Sequence, residues 1–123
     1  MKKILIVDDH ADIRRLIHLT LEFEQYEIHE AADGSAALER VSQLQPDLVL
    51  LDVMMPGPIN GLEVCRRIRA MPQLCAVRVM LLSARGQASD REAGMQAGAD
   101  SYLVKPFSPL QLIDFIAELW AEA

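Results

Sequence analysis

The sequence predicts an α/β protein in which helices cover both faces of a parallel sheet. Two observations support this class. Short runs made only of apolar residues recur along the chain, and a continuous apolar run between turn signals is typical of a strand buried on both faces. Segments with helical periodicity separate these runs, and strands that alternate with helices form βαβ units with right-handed crossovers.

Two of the apolar runs end in aspartate. Residues 4–7 lead into Asp8 and Asp9, and residues 48–51 lead into Asp52. We interpret both runs as central strands. In open α/β sheets the carboxyl ends of the strands form the edge where ligands and chemistry are found. A carboxylate placed there needs a partner, because an unpaired buried charge is costly.

The segments between these strands predict a helix, an outer strand and a second helix. Residues 13–21 carry apolar side chains at the spacing of one helix face. Residues 26–31 alternate between polar and apolar, as expected for an outer strand. The second helix starts after Asp33 and ends near Pro46.

The second half of the chain repeats the alternation. Residues 77–82 form the predicted fourth strand, which leads into Ser83, and residues 101–104 form the fifth, which leads into Lys105. Each of the three helices in this half has a pair of residues at the spacing of an amino-terminal cap. These pairs are Asn60 with Glu63, Ser89 with Glu92, and Ser108 with Gln111.

Composition places the chain among globular proteins and argues against several classes of function. With 123 residues, 51% hydrophobic and 24% charged, residues 1–123 are expected to form one domain. A net charge of -6 without a basic cluster argues against direct nucleic-acid or membrane binding. Cys65 and Cys75 lack metal or redox spacing and are expected to be reduced thiols. No apolar stretch has signal-peptide or transmembrane length, and the expected location is cytoplasmic.

Four predicted strands bring reactive side chains to one edge of the sheet. These side chains are Asp8, Asp9, Asp52, Ser83 and Lys105. Three neighbouring carboxylates repel one another unless a cation is present, and an all-oxygen ligand set suits Mg²⁺. A cation, a lysine and a hydroxyl around Asp52 suit phosphoryl transfer, which depends on positioning and charge neutralisation. Asp52 is the candidate nucleophile, since carboxylates can form covalent aspartyl phosphates.

Several short motifs also occur in a fixed order along the chain. They are Asp8-Asp9, Asp52 followed by Met55-Pro56 and later Gly61, Ser83-Ala84, Tyr102, and Lys105-Pro106-Phe107. This ordered set resembles the receiver domain of two-component response regulators, including chemotaxis regulators, over essentially the whole chain. The resemblance implies a flavodoxin-like (βα)5 fold with strand order 2-1-3-4-5. It also implies a phosphorylation-controlled signalling switch of a phosphorelay, and not an enzyme that turns over foreign substrates.

The resemblance implies a role for each matching residue. Asp52 would accept a phosphoryl group from the phosphohistidine of a histidine kinase. Lys105 would pair with the acyl phosphate, and Ser83 would hydrogen-bond one of its oxygens. The cofactor would be Mg²⁺, with Mn²⁺ as a substitute. Its implied ligands are Asp8, Asp9, Asp52 and the backbone carbonyl of Met54.

A conformational switch is also implied. Tyr102 would turn inward when Ser83 is drawn toward the phosphate, which would change the surface formed by the fourth helix, the fifth strand and the fifth helix. Taken alone, Tyr102 fits a core or edge position equally well. The Lys105–Pro106 bond resembles the family's cis peptide, which would aim the lysine into the site.

The chain departs from the family pattern after Asp52. Receivers commonly place the loop glycine one residue closer to the phosphorylated aspartate than here, where Gly61 follows by nine positions. An extra residue near Pro58 therefore lengthens this loop. Met54 is apolar and would shield the phosphate from water. His10 follows the acid pair, but Mg²⁺ prefers oxygen ligands to imidazole.

Three other functions are compatible with the same fold. A haloacid-dehalogenase-like phosphatase also uses a strand-end aspartate and Mg²⁺, but its general acid is a second aspartate two residues on, where this chain has Met54. A nucleotide- or flavin-binding module would need a glycine-rich phosphate loop, which the sequence lacks. A constitutive protein-binding module is the third.

The resemblance implies protein partners. These are a sensor histidine kinase or phosphotransfer protein as phosphodonor, and a downstream protein or output domain as target. No direct contact with nucleic acid or membrane is expected. The chain is expected to be a monomer or a weak dimer that depends on phosphorylation. A stand-alone receiver and a segment of a longer regulator or hybrid kinase both fit the sequence.

Overall fold

A computed structural model describes residues 1–121 of the chain. Within these residues, five parallel strands alternate with five α-helices. The strands are β1 (Lys3–Val7), β2 (Glu27–Ala31), β3 (Leu48–Asp52), β4 (Arg78–Ser83) and β5 (Ser101–Val104). The helices are α1 (Ala11–Glu22), α2 (Gly34–Leu44), α3 (Gly61–Arg69), α4 (Ala88–Gln96) and α5 (Pro109–Ala121), with a 3-10 turn at Pro72–Leu74. The sheet order is β2-β1-β3-β4-β5, which confirms the predicted fold class.

The register of the central strands aligns the acidic residues. Val7 of β1 lies opposite Leu51 of β3, so Asp8 and Asp52 are the next residues along these two neighbouring strands. Asp52 in turn lies opposite Leu82 of β4. The carboxylates therefore meet because the strands that carry them are in register, and not because they are close in sequence.

Strands β4 and β5 complete this edge of the sheet. Ser83 lies opposite Val104, so Lys105 is the next residue beyond β5. The Lys105 amide donates a hydrogen bond to the Ser83 carbonyl at 2.7 Å. The hydrogen bonds between β4 and β5 thus place Lys105 at the edge of the sheet where the aspartates lie.

Two apolar layers enclose the sheet, because successive side chains of a strand point to opposite faces. Leu5 faces the layer that contains α2 and α3, whereas Ile4 faces the layer that contains α1 and α5. Burial on both faces explains why the central strands β1 and β3 are apolar along residues 4–7 and 48–51. Cys65 lies within the first layer, and burial raises the pKa of its thiol to about 11. Cys75 is exposed, and both thiols are free.

Two of the three predicted helix caps are present. The Asn60 side chain accepts a hydrogen bond from the Glu63 amide at 3.0 Å. Ser108 and Gln111 form a reciprocal pair, with the Gln111 amide 3.1 Å from the serine hydroxyl and the Ser108 amide 2.8 Å from the glutamine oxygen.

The predicted Ser89 cap is wrong. Helix α4 begins at Ala88, and Gln87 occupies the cap position without a side-chain hydrogen bond. A cap contributes only about 1 kcal/mol, so close packing can decide where a helix lies. Here Gly94 lets α4 approach β4 and β5, because a Cβ at this position would lie 2.9 Å from the Leu81 side chain. No helix within residues 1–121 is long and apolar enough to span a membrane.

Candidate functional site

Three carboxylates form a compact group at the carboxyl edge of the sheet. Asp8 is fully buried and Asp52 is 3% exposed. Together with Asp9 and His10, each can offer one ligand atom, and these four atoms lie within 4.8 Å of one another. The register of β1 and β3 positions this group, since Val7 pairs with Leu51 and the two aspartates directly follow these residues.

Lys105 provides a positive charge inside this group. Its Nζ lies 3.1 Å from Oδ2 of Asp8 and 3.3 Å from Oδ1 of Asp52. The Lys105–Pro106 peptide bond is cis. One ammonium thus pairs with two buried carboxylates that belong to different strands.

The electrostatics of Asp52 favour a further cation. Burial raises the pKa of this carboxyl above its usual range, and the negative charge of Asp8 raises it further. Lys105 and the Met54 amide, 3.4 Å from Oδ1, act in the opposite direction but do not cancel these effects. The raised pKa means that the ionised form of Asp52 is less favourable here than in water, and additional positive charge would favour it.

Asp9 contributes an oxygen atom that is free to act as a ligand. Its Oδ1 is buried and has no hydrogen-bond partner among the described residues. The Nδ1 of His10 approaches it to 3.3 Å without hydrogen-bond geometry, and the His10 side chain is 62% exposed. A buried, unpartnered carboxylate oxygen beside two further carboxylates fits a hard divalent cation with oxygen ligands. The residues present could hold such an ion.

Ser83 and Met54 lie on either side of Asp52. Ser83 is 1% exposed, and its hydroxyl accepts a hydrogen bond from the Arg85 amide at 3.1 Å. The Met54 side chain is 54% exposed at the mouth of the site. Both line a cavity of about 200 Å³ between the loops that follow β3 and β4.

Tyr102 occupies an inward position in this structure. The residue is 6% exposed, and its hydroxyl donates to the Arg85 carbonyl at 2.7 Å. The Arg91 guanidinium carbon lies 5.6 Å from the ring centroid. The tyrosine is therefore connected through Arg85 to the same loop segment that bonds Ser83. Its change of position on phosphorylation stays a prediction.

The longer loop leaves Gly61 close to Asp52. A Cβ on Gly61 would lie 2.2 Å from the Asp52 carbonyl oxygen, and the Gly61 amide donates to the Val53 carbonyl at 3.1 Å. Earlier in the loop, Ile59 lies against Gly34 at the start of α2, where a Cβ on Gly34 would lie 2.5 Å from the Ile59 carbonyl oxygen. Gly61 thus lies against Asp52 although it follows by nine positions.

The sequence analysis missed one residue that contacts this site. Arg14 on α1 donates from Nη1 to the backbone carbonyl of Asp8 at 2.6 Å. In the sequence it is one polar residue on an amphipathic helix, and nothing in the helical spacing distinguishes it from Arg15. Only the packing of α1 against β1 and β2 reveals the contact.

A comparison with protein-family models finds one match. The model described as the response regulator receiver domain matches residues 4–117. This range includes every predicted site residue, from Asp8 to Lys105.

The curated proteins that this chain is similar to include regulators whose names refer to transcription or DNA binding. The transcriptional regulatory protein ResD of Bacillus subtilis is 47% identical over 111 residues, which are 90% of this chain and 45% of ResD. The DNA-binding response regulator MtrA of Mycolicibacterium paratuberculosis is 40% identical over 91% of this chain and 48% of MtrA. The chain therefore spans about half the length of these curated relatives.

Solved structures show the same architecture. The structure of the chemotaxis protein CheY4 of Vibrio cholerae superposes with a TM-score of 0.90 and 32% identity, covering 96% of this chain and 98% of CheY4. The fold is thus shared with a protein that the chain matches almost from end to end.

Proposed function

The chain belongs to the response regulator receiver domain family, and we propose that residues 1–123 form one receiver unit with Asp52 as its phosphorylated residue. A receiver domain is a phosphorylation-controlled switch of two-component signalling, which is a regulatory role. The observation that carries the assignment of Asp52 is its position. It is buried at the end of β3, and Lys105 contacts both Asp52 and the neighbouring Asp8.

In the proposed transfer, a carboxylate oxygen of Asp52 attacks the phosphorus of a phosphohistidine. The new O–P bond forms as the P–N bond breaks, and the donor imidazole leaves with the electron pair of that bond. Mg²⁺, or Mn²⁺ in its place, would neutralise the phosphoryl oxygens when bound. Its proposed ligands are Asp8, Asp9, Asp52 and the Met54 carbonyl.

Two further side chains would stabilise the product. Lys105 already contacts Asp52 and would pair with the added phosphoryl group. The buried hydroxyl of Ser83 would donate to a phosphoryl oxygen, which requires its present hydrogen bond with Arg85 to change. The phosphatase alternative is not favoured by family membership, and Met54 offers no general acid.

The proposed partners are proteins. A sensor histidine kinase or phosphotransfer protein would supply the phosphoryl group, and a downstream protein or output domain would recognise the change. ResD and MtrA are regulators of transcription or DNA-binding regulators by name. Since this chain matches only part of each, direct nucleic-acid contact is not assigned to the receiver unit. Family membership also supports a cytoplasmic location.

The proposed output surface is formed by α4, β5 and α5. Tyr102 on β5 supports this choice because its hydroxyl is bonded to the loop that also contacts Ser83. Amide chemical shifts measured with and without phosphorylation should change on this surface. Shifts confined to the edge near Asp52 would contradict the proposed output surface.

A labelled donor tests the transfer itself. A phosphotransfer protein carrying ³²P-phosphohistidine should lose its label to the chain in the presence of Mg²⁺. Asp52→Asn should retain no label, and chelation of the metal should stop transfer to the parent protein. Equal labelling of the Asn variant would contradict the assignment of Asp52.

A further inference from the structure

Arg14 joins the acidic site to the outer edge of the sheet. Its Nη1 donates to the Asp8 carbonyl at 2.6 Å, and its Nε donates to Oε1 of Glu30 on β2 at 3.0 Å. The Arg14 side chain is 18% exposed. The planar guanidinium thus holds a backbone carbonyl and a carboxylate at the same time, which a lysine ammonium is poorly shaped to do.

The Asp8 carbonyl, which Arg14 contacts, belongs to the peptide bond between Asp8 and Asp9, and both residues are proposed metal ligands. The Asp8 amide continues the ladder by donating to the Ala31 carbonyl at 3.2 Å. Strand β1 ends at Val7, and the Asp8 carbonyl receives the Arg14 guanidinium where the ladder stops. The orientation of the Asp8–Asp9 peptide is therefore set by an arginine side chain.

That peptide determines where the next carboxylate lies. The Asp8 side chain has three contacts of its own, with the His10 amide at 2.8 Å, His10 Nδ1 at 3.1 Å and Lys105 Nζ at 3.1 Å. Asp9 has a buried Oδ1 without a hydrogen-bond partner among residues 1–121, although Nδ1 of the exposed His10 lies 3.3 Å away. With no hydrogen bond to fix this oxygen, the position of the Asp9 carboxylate depends on the backbone before it, whose carbonyl Arg14 contacts.

We propose that Arg14 is a positioning residue for the divalent-cation site. By fixing the Asp8–Asp9 peptide, it holds the Asp9 carboxylate close to Asp8 and Asp52 before the cation arrives. Such preorganisation lowers the cost of binding, because groups that orient metal ligands affect affinity without touching the metal. The inference rests on the proposed function only in requiring that a divalent cation binds here.

The effect should be one of geometry more than of charge. Glu30 pairs with Arg14, and Nδ1 of His18 lies 2.8 Å from the other oxygen of Glu30. The positive charge of Arg14 is thus balanced on the side away from the site. Arg15, the next residue, is exposed and provides a matched control of the same type on the same helix.

A calorimetric titration of the protein with Mg²⁺ alone tests this inference. We expect Arg14→Gln and Arg14→Lys each to weaken Mg²⁺ binding by about tenfold, the lower end of the range for residues that orient metal ligands. Arg15→Gln should bind as the parent does, and Glu30→Gln, which leaves the carbonyl contact in place, should weaken binding less. If Arg14→Gln does not fold, the Mg²⁺ titration of Arg14→Lys tests the inference in its place.

A second readout separates positioning from stability. The rate of phosphoryl gain from acetyl phosphate should need more Mg²⁺ to reach half its maximum in the Arg14 variants, and should approach the parent rate at saturating Mg²⁺. A variant that is less heat-stable but binds Mg²⁺ within twofold of the parent would overturn the inference. A parent protein that binds no Mg²⁺ would overturn the proposed metal site and this inference together, whereas normal parent binding with unaffected Arg14 variants would overturn this inference alone.

Discussion

The ammonium group of Lys105 lies 3.3 Å from Oδ1 of Asp52, although 53 positions separate the two residues. The same nitrogen is 3.1 Å from Oδ2 of Asp8. A single cation is therefore shared between two buried carboxylates, with a third close by. Three carboxylates and one ammonium leave this arrangement two positive charges short of balance. This deficit explains chemically why the site should take up a divalent cation before it can accept a phosphoryl group.

Replacing Lys105 should separate metal binding from phosphoryl transfer. In Lys105→Ala, the cation that competes for Asp8 and Asp52 is removed, so Mg²⁺ should bind more tightly. Phosphoryl gain should nevertheless slow by about 100-fold, the typical effect of losing one group that stabilises developing charge. Calorimetric titration and intact-mass kinetics measure the two effects. Lys105→Arg keeps the charge and should be intermediate; a loss of Mg²⁺ binding in Lys105→Ala would contradict this prediction.

Asp52 should make stability depend on pH. Burial and the charge of Asp8 raise its folded-state pKa above the ordinary value of 3.8. Between these two values the folded protein binds more protons than the unfolded chain, so this residue's contribution to stability falls as pH rises.

Asp52→Asn removes that titration. Without metal, the melting temperature of the Asn variant minus that of the parent should increase from pH 4 to neutral pH. Each kcal/mol of stability that the parent loses over this range corresponds to about 4 °C in a domain of this size. Addition of Mg²⁺ should reduce the difference by stabilising the parent. Melting curves that differ by the same amount at every pH would disprove the assigned pKa shift.

The Tyr102 hydroxyl should hold the loop after β4. Tyr102→Phe deletes the 2.7 Å hydrogen bond to the Arg85 carbonyl and keeps the buried ring. Unfolding free energy should fall by about 1 kcal/mol, and amide exchange should increase in residues 84–87. The rate of phosphoryl gain should not change, since the hydroxyl does not contact Asp52. Unchanged exchange in this loop would contradict the connection between Tyr102 and the loop.

Gly61 is predicted to be essential for the shape of the site. In Gly61→Ala the new methyl group would lie 2.2 Å from the Asp52 carbonyl oxygen. Relieving this overlap should cost about 3 kcal/mol of stability and displace Asp52. Gly57→Ala is the matched control, because it has a positive φ of 98° but open space around it. Its cost should be about 1 kcal/mol of backbone strain. Urea unfolding compares the two, and equal costs would be inconsistent with the clash at Gly61.

Most of the fold could be predicted because the apolar pattern and the topology specify it together. The runs before Asp8 and Asp52 are apolar on both faces, which indicates central parallel strands, and parallel strands place their carboxyl ends at one edge. The contact between Lys105 and Asp52 follows from this topology. It could therefore be expected without any knowledge of side-chain geometry.

The features that could not be predicted depend on packing between distant segments. Helix α4 begins at Ala88, before the Ser89 pattern, and Gly94 lies close to β4 in a contact that the spacing of residues does not encode. The contacts of Arg14 with Asp8 and of Tyr102 with the Arg85 carbonyl are hydrogen bonds to backbone groups. Backbone acceptors leave no signature in the sequence, so periodicity and spacing cannot reveal such contacts.

The most direct test of the central claim is the intact mass of the protein after incubation with acetyl phosphate and Mg²⁺. If Asp52 is the phosphorylated residue of a working receiver, the parent protein should gain one phosphoryl group. Asp52→Asn should gain none, and removal of Mg²⁺ should abolish the gain in the parent. A folded parent protein that gains no phosphoryl group, or an Asn variant that gains as much as the parent, would contradict the account.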